Sequence, residues 1–316
     1  MKIAITGKGG VGKTTVTAVW GEAFRADGRR VLLIDADPDA NLASAVGVSP
    51  DRLPKPLVLL KDLVKERTGA DPDQVGQYFR LNPHVADLPN SYAVDAGGMK
   101  LLVLGGIRGG GKGCACPQGA FLKAMMRHLM LSRDEVLLVD MEAGLEFLGR
   151  ASVMGTDALV IVVEPGRRSL ETAAGIARMG REIGLKRFGA VLNKVTDPGQ
   201  VAVVQGALPE GVELLGHVPY SPALQRADLE GRSVLGVDPE IESALAEAKR
   251  KLETLVAAGA AAGVQEKGCP CPARSSPAAL NTVSDAAPAR SRAPWRTRSR
   301  RTCSGRWPST LARSVA

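Results

Sequence analysis

Aromatic side chains make up only 3% of the 316 residues, and the chain has just three histidines and five cysteines. So few rings cannot form a platform on which successive bases stack, which argues against single-stranded nucleic acid as the ligand. His84, His128 and His217 show neither pairing nor metal-ligand spacing. Long apolar runs are missing as well: residues 158–163 stop at Glu164, far short of the ~18 needed to cross a bilayer. No basic-then-apolar leader precedes the first glycines, since Met1 runs through a short apolar stretch into Gly7, Lys8 and Gly9. A soluble, cytoplasmic protein is expected, and in that compartment the cysteines point to metal or redox chemistry rather than to a disulfide framework.

What is present is aliphatic and glycine-rich, with 45% hydrophobic residues and 36 glycines, so the core must be Val, Leu, Ile and Ala. The net charge of +8 suggests nucleic acid until it is divided along the chain. Residues 264–316 carry ten Lys and Arg against two acids, which accounts for all of it; residues 1–263 are balanced. Nucleic acid is therefore not expected as a partner of the core.

Apolar runs at 2–6, 31–35, 100–104, 135–140, 157–163, 187–193 and 212–217 have the look of buried parallel strands. Between them, residues 13–26, 118–131, 168–183 and 239–258 read as helices. The alternation predicts one α/β domain over residues 1–263, a doubly wound and mostly parallel sheet. Residues 264–316 lose all periodicity in Arg, Ser, Pro and Ala and are expected to be disordered. This tail reads either as a basic arm for nucleic acid or anionic lipid, or as an unstructured extension, including one from an altered reading frame.

The strongest motif is Gly7-Lys8-Gly9-Gly10-Val11-Gly12-Lys13-Thr14-Thr15, which fits G-x-x-x-x-G-K-[ST] and lies between a predicted strand and a predicted helix. Glycines let successive backbone N–H groups converge on phosphate oxygens, and the helix start adds partial positive charge. Lys13 is placed to reach the β- and γ-phosphates, Thr14 to bind Mg²⁺ through its hydroxyl, and Thr15 to donate to the α-phosphate. An ordinary glycine turn is the alternative.

Lys8 departs from a plain P-loop, and the run from Lys8 to Thr14 resembles the deviant Walker A ATPases, which include the nitrogenase iron proteins and the septum-site and partition ATPases. The resemblance implies a P-loop NTPase fold of the SIMIBI type, with ATP sandwiched in a homodimer and Lys8 reaching the partner subunit's nucleotide. Within it, Asp37 in Asp35-Ala36-Asp37-Pro38-Asp39-Ala40-Asn41 matches switch I and would orient the attacking water; turn chemistry is its other reading. Asp140, followed by Gly144, matches Walker B merging with switch II, its carboxylate holding the magnesium water shell. Asn193 matches the position that contacts adenine, although Asn at a strand end is also a turn former.

Cys114-Ala115-Cys116-Pro117 closes a glycine-rich loop over residues 105–117. Two thiolates leave a four-coordinate ion half satisfied, and the same loop of a second chain would supply the other two. Arg108, Lys112 and the following helix start would favour the thiolates; inert thiols are the alternative reading. Deviant P-loop and C-x-C together resemble the nickel-insertion accessory ATPases of carbon monoxide dehydrogenase, the CooC type, across essentially all of residues 1–263. That resemblance implies Ni²⁺ or Zn²⁺ held by Cys114 and Cys116 across the dimer, with ATP turnover linked to nickel delivery into the dehydrogenase cluster. Two other functions remain in view: an ATP-driven iron–sulfur electron donor, disfavoured because Met141-Glu142-Ala143-Gly144 lacks the cluster cysteine that the nitrogenase iron proteins this chain resembles place just after the switch II aspartate, and a partition or septum-positioning ATPase. A second pair, Cys269 and Cys271, lies in the tail outside the family-like region.

Overall fold

The computed structural model describes residues 1–74, 76–105, 116–128, 135–142 and 156–265, with the backbone alone at Cys116, His128 and residues 259–265. Cys114, Gly144 and residues 266–316 lie outside the described residues, and with them the expectations for the thiolate loop, the switch glycine and the tail.

The predicted strands form at β1 (Lys2–Thr6), β2 (Arg30–Asp35), β4 (Met99–Val103), β5 (Glu135–Asp140), β6 (Ala158–Val163), β7 (Phe188–Val195) and β8 (Val212–Pro219). A short β3 (Val94–Ala96), not anticipated, pairs antiparallel with β4 across a Gly97-Gly98 turn in which both glycines have positive φ. Among the described residues the sheet runs β3-β4-β2-β5-β1-β6-β7-β8, and every pairing other than β3 with β4 is parallel. This is the mostly parallel, doubly wound sheet that the sequence predicts.

Both sheet faces are buried because successive side chains on a strand point to opposite sides. On β6, Ala158, Val160 and Val162 join one apolar layer while Leu159, Ile161 and Val163 join the other. The first layer is completed by α1 (Lys13–Ala26) and a long C-terminal helix, Pro239–Gln265, which contributes Ile241, Leu245, Ala248 and Leu252. Trp20, fully buried, donates its indole N–H to Leu245 O at 2.9 Å and ties those two helices together. The second layer takes Phe121 and Met125 from Cys116–His128, and Ala173, Ile176 and Ala177 from Arg167–Glu182. The helix expected at 118–131 thus begins two residues earlier, and the last one runs on to Gln265.

Short helices the sequence did not signal fill the connections: α2 (Leu42–Ala45), α3 (Lys61–Thr68), α4 (Leu88–Tyr92), and two more at Gly199–Ala207 and Pro222–Leu229. Among the described residues no helix is long and apolar enough to cross a membrane.

Candidate nucleotide site

The carboxyl ends of β1, β2, β5, β6 and β7 all open on one edge of the sheet, and residues from each meet there. Leaving β1, the chain turns so tightly against β6 that a Cβ at Gly7 would stand 2.3 Å from Val162 O. Gly12 closes the turn at φ 96°, a left-handed conformation that favours glycine, and a Cβ there would stand 2.2 Å from the Asn193 amide nitrogen. Helix α1 begins at the next residue, and no side chain caps its N-terminus. The first-turn N–H groups of Lys13, Thr14 and Thr15 are therefore met by no side-chain cap, which leaves this helix start available to an anion. Gly9, Gly10, Val11 and Gly12 thus form the turn between strand and helix, and Lys13, Thr14 and Thr15 open the helix itself.

Two carboxyls stand beneath this turn. Asp35 and Asp140 are paired in register at the ends of β2 and β5, and both are buried. The Thr14 hydroxyl donates to Asp140 Oδ2 at 2.6 Å, whereas Asp140 Oδ1 is buried without a hydrogen-bond partner among the described residues. Burial pushes the Asp140 carboxyl up to about 7, with the neighbouring Asp35 adding to the effect. Burial likewise raises Asp35 to about 6, against the opposing pull of two backbone N–H donors. A hydroxyl and an unsatisfied buried carboxylate oxygen beside a phosphate loop are hard oxygen donors of the kind Mg²⁺ takes, so the residues fit that ion.

Asp37 lies over the same turn, its Oδ2 3.9 Å from Lys13 Nζ. The loop that presents it is built by Asp35, whose Oδ1 accepts the Asp37 N–H at 3.1 Å and whose Oδ2 accepts the Leu42 N–H at 2.9 Å. The turn is closed by the Ala40 N–H donating to Asp37 O, with Ala40 at φ 45°. Through its backbone Asp35 also holds the end of β4: its carbonyl accepts the N–H groups of Leu104 (2.8 Å) and Gly105 (3.2 Å), the last described residues ahead of Cys114.

From β7, Asn193 Nδ2 donates to Val11 O at 2.8 Å while its Oδ1 accepts the Lys194 N–H. Lys194 Nζ donates to Gly10 O at 2.6 Å. Two successive P-loop carbonyls are thereby tied to β7. Lys194 adopts this position at φ 59°, costing about 1 kcal/mol for a residue with a Cβ. Glu164, just past β6, lies between two ammonium groups, 3.9 Å from Lys8 Nζ and 3.7 Å from Lys194 Nζ.

The structure brings together Lys8, Lys13, Thr14, Asp37, Asp140 and Asn193, which the sequence placed at one site. Asp35, Glu164 and Lys194 are additional to it. Asp35 and Lys194 adjoin motif residues, and nothing in the sequence separates their roles from those of their neighbours. The side chain of Cys116, at the start of its helix, is outside the described residues, as is Cys114. Among the described residues no cluster of three or more His, Cys, Asp or Glu side chains is arranged to hold a metal ion.

A P-loop braced by two strand-end carboxyls on a parallel sheet defines a nucleotide-binding domain. The chain belongs to the family of CobQ/CobB/MinD/ParA nucleotide-binding domains, whose model matches residues 2–234. Within that family its likeness is to the CooC type: it is 44% identical over 241 residues to the carbon monoxide dehydrogenase accessory protein CooC of Rhodospirillum rubrum, spanning 76% of this chain and 91% of CooC. An ATP-binding protein of Methanocaldococcus jannaschii is 40% identical over 235 residues, covering 74% of this chain and 91% of its own length. Among solved structures, the septum site-determining protein MinD of Pyrococcus horikoshii, in complex with Mg-ADP, superposes with a TM-score of 0.57 at 20% identity, over 84% of this chain and 99% of that one. That last likeness is one of fold.

Proposed function

We propose that this chain is a cytoplasmic ATPase that works as a homodimer and handles nickel for maturation of the carbon monoxide dehydrogenase active-site cluster. The chemistry would be hydrolysis of ATP to ADP and phosphate. The α1 N-terminus and Lys13 hold the phosphates, Asp37 orients the attacking water, and Thr14 and Asp140 hold Mg²⁺. Bound Mg²⁺ would supply charge neutralisation on the phosphate oxygens. Asn193 borders the adenine, and Lys8 extends to the nucleotide of the partner subunit. Cys114 and Cys116 of both subunits form a four-thiolate site for Ni²⁺ or Zn²⁺, the metal being cargo.

The observation that carries this reading is the position of Asp35, which contacts both the Asp37 turn and the segment leading toward Cys114. Asp35 shapes the Asp37 turn with its carboxylate and accepts the N–H groups of Leu104 and Gly105 with its carbonyl. A nucleotide that shifts the Asp37 turn would act on Asp35 and, through its carbonyl, on Leu104 and Gly105, the last described residues ahead of Cys114. The name of the similar CooC protein supports the assignment of the client, and the C-x-C spacing supports a soft or borderline metal.

The test is metal content and affinity of the full chain with Mg-ADP and with a non-hydrolysable ATP analogue. About half an ion per chain is expected, because two subunits share one site. Cys114→Ser with Cys116→Ser should abolish metal binding and leave ATP binding intact, and metal affinity should differ between the two nucleotides. Full metal retention by the double variant, or equal affinity in both states, would refute the proposal.

A further inference from the structure

The sheet order places the carboxyl ends of β1, β6 and β7 side by side, and one charged residue from each meets at the mouth of the P-loop. β1 leads to Lys8, β6 to Glu164 and β7 to Lys194. The Glu164 carboxylate touches both lysines, one oxygen 3.9 Å from Lys8 Nζ and the other 3.7 Å from Lys194 Nζ. Its backbone is fixed, since the Glu164 N–H donates to the Ser169 hydroxyl at 3.1 Å and Ser169 is buried. Lys194 is fixed too, because it is committed to Gly10 O. Lys8 differs not in exposure, since both lysine side chains are about 40% exposed, but in its partners: among the described residues the ion pair with Glu164 is the contact given for its ammonium group.

We propose that Glu164 is a positioning residue that holds Lys8 within its own subunit, so that Lys8 reaches a second copy of the chain only by giving up this contact. The inference rests on the paired-subunit reading above and adds to it a residue that sets the threshold for pairing. Lys194 makes the exchange workable. When Lys8 leaves, Glu164 retains a cation at 3.7 Å, so its charge is not left alone and the P-loop brace at Gly10 stays in place. The competition is modest by construction, because ion pairs this exposed contribute little in water. Such a clamp shifts a balance without locking it.

The experiment is sedimentation velocity on the full chain with Mg²⁺ and a non-hydrolysable ATP analogue over a range of protein concentrations. Glu164→Gln, which keeps the shape and removes the charge, should reach half-assembly at roughly two- to fivefold lower concentration than the wild type. Glu164→Asp, which keeps the charge, should stay within about twofold of the wild type. In a Lys8→Ala background the gain from Glu164→Gln should vanish, an epistasis that a merely structural role for Glu164 does not produce. Assembly of Glu164→Gln at the wild-type concentration, or a gain that persists without Lys8, would overturn the clamp and leave paired subunits standing. A wild type that remains monomeric at every concentration would overturn the paired reading and the clamp with it.

Discussion

Two carboxyls buried side by side under a phosphate loop are expensive in the absence of a cation, and that cost has a measurable pH dependence. With Asp140 raised to about 7 and Asp35 to about 6, the folded chain keeps protons that the unfolded chain gives up near pH ~4. Between those values the native state binds more protons, so stability is full below pH ~4 and falls as pH rises through 6 to 7. The melting temperature of metal-free protein should therefore drop between pH 5 and 8, and Asp140→Asn should flatten much of the decline. A profile that rises over this window would contradict the burial assigned to these groups. Lys194 offers a second test. Lys194→Gly relieves a left-handed backbone at φ 59° but deletes the contact with Gly10 O. Calorimetry should show unchanged or higher thermal stability together with several-fold weaker ATP binding, a split that ordinary destabilisation would not give.

Among the elements, the connection from β1 to α1 tolerates least change. At Gly7→Ala the new Cβ would meet a backbone oxygen of β6 rather than a flexible side chain, and the φ of 153° adds strain. Guanidinium unfolding should show a loss of roughly 2 kcal/mol or more, with ATP binding impaired. This element was also the most legible in the sequence: α1 forms over the very residues its pattern predicts, because its buried positions Val16, Val19, Trp20 and Phe24 recur at helical spacing. Where burial is slight, legibility fails. The Gly199–Ala207 helix buries Val204 alone and Pro222–Leu229 buries Ala227 alone, so neither leaves an apolar stripe to read. α2 and α4 have four and five residues, too few for periodicity to emerge. β3 is three residues long, and its hairpin was marked only by Gly97-Gly98, a signal easily passed over in a chain with 36 glycines.

At the scale of the whole molecule, the described residues place two apolar layers on one sheet, each covered by helices. Phe24 is fully buried in one layer and Phe121 in the other, so Phe24→Ala and Phe121→Ala should each cost roughly 3–5 kcal/mol. Both should move a single unfolding transition seen equally by circular dichroism and by fluorescence, because the strands are common to the two layers; separate transitions would mean that the layers unfold independently. The amino-acid order by itself determined the parallel strands, the P-loop and its helix, and the choice of Asp37, Asp140 and Asn193, since periodicity and local motifs are properties of neighbours along the chain. Only the tertiary structure decided that Asp35 faces Asp140, that Asp35 joins the Asp37 turn to Leu104 and Gly105, and that Glu164 lies between Lys8 and Lys194. Those contacts are set by which strands adjoin in the sheet, and strand order is fixed by packing between segments distant in the chain, such as Ile3 beside Ala158, which no local pattern encodes.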